Sequence, residues 1–112
     1  MPEITDEYMK RMLAQTRDYA VVLLRPGPRY REPGGEAVIW EHGRRNFSLR
    51  AEGRMPIVLP VRGPSEVCGV CVFTGTPAEV RTIMEGDPGV VAGIFTFEVY
   101  PCRSFPGDRL PD

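Results

Sequence analysis

Two hydrophobic periods alternate along the chain. Tyr8, Met9, Met12 and Leu13 recur at helical spacing behind Thr5 or Asp6, either of which can cap a short first helix running to about Gln15. From Tyr19 to Arg25 the pattern changes to an unbroken apolar run, a first strand buried on both faces. Pro26 to Gly35 is a loop, with Pro-Gly-Pro at one end and Pro-Gly-Gly at the other. A second helix is expected from Ala37 to Glu52, with Gly53 ending it and Ile39, Trp40, Phe47 and Ala51 as its apolar face. A second strand from Ile57 to Val61 carries Pro56 and Pro60 at its ends, which suits a sheet edge. Val67 to Thr74 is a third strand. Thr76 as cap and Pro77 at the first helical position open a third helix with Val80, Ile83 and Met84 on its apolar side. Asp87-Pro88 ends it at a turn, because proline crowds the residue before it. After Gly93 the residues are β-branched and aromatic, a last strand that Pro101 is expected to stop.

After the leader helix the order is β-α-β-β-α-β, the split βαβ motif of ferredoxin-like α+β domains. The expected division is a leader at 1–18, a domain at 19–101 and a polar tail at 102–112. Both domain helices cover one sheet face. The other parity is apolar as well, with Ile94, Thr96 and Tyr100 against Phe95, Phe97 and Val99 in the last strand. An apolar face of that size does not stay wet, so the chain is expected to form a homodimer with apposed sheets.

Composition narrows the function. With 112 residues and a formal net charge of −1, the chain has no electrostatic case for nucleic acid or anionic membrane. No apolar run approaches the roughly 20 residues of a membrane span. The acidic start, Met1 to Asp6, has no signal-peptide core, and three cysteines do not suit a secreted disulfide framework. The expectation is a cytoplasmic protein. No phosphate loop, nucleotide-binding glycine fingerprint or serine-hydrolase elbow occurs, and a single histidine does not make a multi-histidine metal site, so neither cofactor nor metal is expected. Cys68 and Cys71, three apart in a strand, are expected on opposite faces, which argues against a redox or zinc pair.

The topology supplies a candidate site. The start of the second helix, the end of the third and the end of the first strand share one sheet edge. His42, Asp87 and Arg25 stand there or close by. An Asp–His pair fixes the imidazole tautomer and suits it to general-base work. Arg25 and Arg29 are candidates to hold an anionic group or oxyanion, and Tyr30 and Trp40 complete the substrate-binding candidates. Plainer roles are open to each: His42 at the surface or at a cap, Asp87 as a helix stop, Arg25, Arg29 and Arg31 as solvated charges.

The segments Val22 to Pro28, His42 with Gly53 closing its helix, Asp87-Pro88 leading into Val91-Ala92-Gly93-Ile94, and Glu98-Val99-Tyr100-Pro101 resemble the YCII-related (YciI-like) proteins. The resemblance covers about Tyr19 to Pro101 and is most specific at the Asp-Pro corner. It implies a dimeric α/β barrel and a cleft faced by a histidine and an aspartate, which match His42 and Asp87. One relative is described as a dehydrochlorinase of a chlorinated hydroxyhydroquinone, which implies acid–base chemistry on a small aromatic ring. The implied function is a cofactor-independent dehydrochlorinase, isomerase or lyase, or else a non-catalytic small-molecule-binding or regulatory dimer. This chain departs from the family pattern in its leader helix, its long Pro-Gly loop, Gly43 directly after His42, Pro56 and Pro60, and Cys102 where an aromatic residue is common.

Overall fold

The computed structural model describes residues 1–112 as an α+β fold with a four-stranded antiparallel sheet. Helix α1 (Asp6–Ala14) begins where the Thr5 hydroxyl accepts the Tyr8 amide. Asp6 and Glu7 in its first turn and Arg11 in its last suit the helix dipole. Strand β1 (Arg17–Pro26) follows almost at once, and Ala20, Val22 and Leu24 point from it into the core. Helix α2 (Glu36–Ala51), the short strand β2 (Ile57–Pro60) and strand β3 (Gly69–Phe73) come next. Thr76 caps α3 (Pro77–Glu85): its hydroxyl accepts the Glu79 amide and donates to the Glu79 carboxylate. Helix α4 (Pro88–Val91) is a single turn, and β4 (Phe95–Ser104) closes the sheet.

The strand order is β2-β3-β1-β4, which puts β2 and β4 at the edges. The register pairs Val22 with Cys71 on one side and with Val99 on the other. The core lies between the sheet and the helices: Ala20, Val22, Leu24, Cys71, Phe73 and Phe95 meet Leu49 of α2 and Val80 and Met84 of α3. The opposite sheet face carries Val21, Leu23, Val70 and Val72 at the centre and the half-exposed Tyr100 and Leu59 toward the edges.

Four expectations are corrected. The tail does not begin at residue 102, because β4 runs through Pro101 to Ser104, which pairs with Arg17. Proline is tolerated there because β4 is an edge strand, where a missing N–H faces solvent. The same pairing draws Arg17 and Asp18 into β1, so the leader ends before them. The Asp87 corner is not a simple turn. It is the cap of α4, and the chain turns out of α4 at Gly93, whose φ of +76° only glycine adopts freely. Finally, α2 is oriented opposite to its apolar stripe. Val38, His42, Arg45 and Leu49 face inward, while Trp40 and Phe47 are 71% and 69% exposed and Ile39 is 40% exposed. The inward face mixes Val38 and Leu49, which join the core, with His42 and Arg45 of the candidate site.

The outline is 54 × 30 × 24 Å with a radius of gyration of 16.4 Å, against about 13 Å for a compact domain of this length. Helix α1 is the part that stands out, since none of its residues is buried. No helix is long and apolar enough to cross a membrane.

Candidate functional site

Asp87 is 1% exposed and anchors the site. Its position as the cap of α4 aims the carboxylate back along that helix, where Oδ2 accepts the amides of Gly89 at 2.9 Å and Val90 at 3.2 Å. His42 approaches from the inward face of α2. Its Nδ1 lies 2.8 Å from both carboxylate oxygens, so Nδ1–H donates to the carboxylate and Nε2 keeps its lone pair. One turn along α2, Asn46 Nδ2 donates to Nε2 at 3.3 Å. The Phe95 ring lies 4.8 Å from the imidazole, centroid to centroid, and fixes its plane from the sheet side. Arg45 brings Nη1 to 4.0 Å from Asp87 Oδ1, and that buried nitrogen has no hydrogen-bond partner.

Nε2 borders a cleft of about 340 Å³ between α2 and the sheet. Leu24, Val58, Cys71 and Phe95 form the floor, Ile39, Gly43, Asn46 and Phe47 the helix wall, and Tyr30 and Cys68 the rim. Tyr30 is delivered by the Pro-Gly loop, which is tied to the α4–β4 connection by Gly27 N–H to the Ile94 carbonyl at 2.7 Å and Arg29 N–H to the Gly93 carbonyl at 2.9 Å. Its ring lies 5.9 Å from Phe95. The neighbouring Cys68, as a charge and as a hydrogen-bond partner, raises the Tyr30 phenol above its ordinary value. Burial, helped by the Asp87 charge, pushes the Cys71 thiol up to about 11, which keeps it protonated and unreactive at neutral pH. No three His, Cys, Asp or Glu side chains converge where they could ligate a cation.

The structure brings together His42, Asp87 and Tyr30 of the candidate residues, and places the others elsewhere. Arg25 has the opposite parity from Leu24 and faces the far side of the sheet, where it pairs with Glu98. The Tyr100 hydroxyl and the Arg25 guanidinium hold Glu98 below the usual carboxylate range. Arg29 pairs with Glu32 at 2.7 Å on the outside of the loop. Trp40 is on the outer face of α2 and does not line the cleft. The sequence reading missed Asn46 and Arg45, although both stand at helical spacing from His42 and so share its face. It also put Cys68 inside a strand. Strand β3 begins one residue later, so Cys68 and Cys71 border the same cleft instead of opposite faces.

No family model matches the chain, and no curated protein matches it. Among solved structures it is similar to the methylated RPA0582 protein, with 17% identity over 95% of this chain and 96% of that one and a TM-score of 0.39. A likeness of that size lends no weight to any functional assignment.

Proposed function

We propose that this chain is a cofactor-independent acid–base enzyme, a dehydrochlorinase, isomerase or lyase of the YCII-like kind, acting on a small cyclic or aromatic metabolite. The observation that carries this reading is the buried Asp87 carboxylate gripping His42 Nδ1 while Nε2 is turned toward an apolar cleft. In that tautomer Nε2 takes a proton from a substrate carbon or hydroxyl, and Asp87 stabilises the imidazolium that forms. The proton then returns to another substrate atom in an isomerisation, or passes to solvent as a leaving group such as chloride departs. Tyr30 on the rim is placed to donate to a ring substituent. Arg25 and Arg29 point elsewhere, so the cleft suits an uncharged ring better than a carboxylate or phosphate ester.

The fold part of this proposal is a ferredoxin-like domain paired through its bare sheet face as a dimeric α/β barrel. The strand order and the apolar residues on the bare face support it. Light scattering at micromolar concentration is expected to give at least twice the protomer mass, and a monomer would overturn the pairing.

A second reading, a non-catalytic binding or regulatory dimer, is favoured by one observation: Asn46 already donates to the Nε2 lone pair. The two readings separate with ligands found by thermal-shift screening of small phenols, quinones and lactones. In the enzyme, His42→Ala retains ligand affinity and loses about 10²–10⁴ of turnover. If wild type binds such ligands and turns over none of them, the binding reading replaces the catalytic one.

A further inference from the structure

Two apolar helix faces of this chain have no cover. Tyr8, Met9 and Leu13 form a stripe on α1 and are 41%, 51% and 43% exposed, with Ile4, 57% exposed, just ahead of the helix. On α2, Ile39, Trp40 and Phe47 surround Gly43 and frame a hollow of about 430 Å³, bounded by Glu36 and Arg44. A Cβ placed on Gly43 would meet nothing within 4 Å, so a second helix can approach the backbone closely there.

The faces match in length. The nine residues of α1 span about 13.5 Å, and the twelve from Glu36 to Phe47 of α2 span about 18 Å. They also match in charge. Along α1 the order is Glu3, Asp6 and Glu7 and then Lys10 and Arg11; along α2 it is Glu36 and Glu41 and then Arg44 and Arg50. Laid antiparallel, the acidic end of each meets the basic end of the other, and the helix dipoles oppose favourably.

Only Gln15 and Thr16 join α1 to β1, and both extend the hydrogen bonding of the helix end: the Gln15 amide donates to the Met12 carbonyl, and the Thr16 amide and hydroxyl both donate to the Leu13 carbonyl. The helix stands out from the body with its stripe exposed.

We propose that α1 of one copy of this chain docks antiparallel on the outer face of α2 of a second copy. This contact lies on the helix layer, away from the bare sheet face, and shares Ile39, Gly43 and Phe47 with the wall of the His42 cleft. Trp40 belongs to it as an interface residue.

A benzophenone photo-crosslinking residue at Met9, in an equimolar mixture of unlabelled and nitrogen-15-labelled full-length chain, tests this. Crosslinks from position 9 to the 36–47 peptide in mixed-isotope species are expected. Glu7→Lys is expected to lower their yield several-fold, and Glu7→Lys combined with Arg44→Glu to restore most of it. Crosslinks to 36–47 found only within one isotope would mean that α1 covers its own helix and would overturn the proposal. So would crosslinks that avoid 36–47, no crosslinks at all, or capture of a foreign chain in place of a second copy.

Discussion

Asp87→Ala is expected to destabilise the protein by about 2–5 kcal/mol, among the largest effects of any single polar substitution in this chain. The carboxylate caps α4 through Gly89 and Val90 and accepts the His42 ring N–H, all at a position 1% exposed. Alanine leaves those donors without an acceptor at a buried position. Losing a helix cap costs about 1 kcal/mol, and losing a buried hydrogen bond to a charged acceptor costs roughly 1.5–3 kcal/mol. Asp87→Asn separates the two roles. Its amide oxygen still caps α4, so less than half of the loss is expected. Its NH₂ now donates to Nδ1, which moves the ring proton to Nε2 and removes the base. Urea unfolding measures the first effect, and nitrogen-15 shifts of the His42 ring report the second. An alanine variant within about 1 kcal/mol of wild type, or an unchanged tautomer in the asparagine variant, would show that the carboxylate does not organise the site.

Gly27→Ala is expected to be nearly as damaging, for a steric reason. A Cβ there would overlap the Gly93 carbonyl oxygen and come within 3.0 Å of Ile94 C and Phe95 N, all backbone atoms with no rotamer to yield. The loop has to lift, and that releases the amide bonds from Gly27 and Arg29 to the α4–β4 connection. Overpacking costs roughly 1–3 kcal/mol and each lost bond about 1 kcal/mol, enough to lower the melting temperature by about 10 °C or more. Tyr30 would leave the rim with the loop. Gly43→Ala is the comparison: within the protomer its Cβ meets open space on a helix, so it is expected to cost far less than Gly27→Ala. Equal melting temperatures for the Gly27 and Gly43 variants would refute the close-approach argument.

Much of the fold was legible because local chemistry and tertiary structure agree. Thr5, Thr76 with Pro77, and Gly53 mark helix ends by satisfying or ending backbone hydrogen bonds, a property that needs no knowledge of neighbours. The His42–Asp87 contact was legible from topology, since antiparallel connections return both residues to one sheet edge. The face of α2 was misread because an apolar stripe was assumed to point at its own core. Here His42, Arg45 and Asn46 share the inward side with Val38 and Leu49, while Trp40 and Phe47 are largely exposed. Arg25 was misplaced by a single residue of strand parity, which is enough to move a side chain across the sheet. Cys68 was missed because the start of a strand depends on its partner, and β1 begins pairing only at Gly69. Pro101 was read as a stop because an edge and a terminus look alike until the strand order is known.

Both outer strands of the sheet carry a proline, Pro60 in β2 and Pro101 in β4. Proline has no N–H to offer an incoming strand, so neither margin is a good template for adding a fifth strand from another molecule. Ribbon-like growth by edge addition, the usual hazard of an open sheet, is discouraged in both directions. Any contact with a second copy is thereby left to side-chain surfaces, whose shape limits how many copies can join.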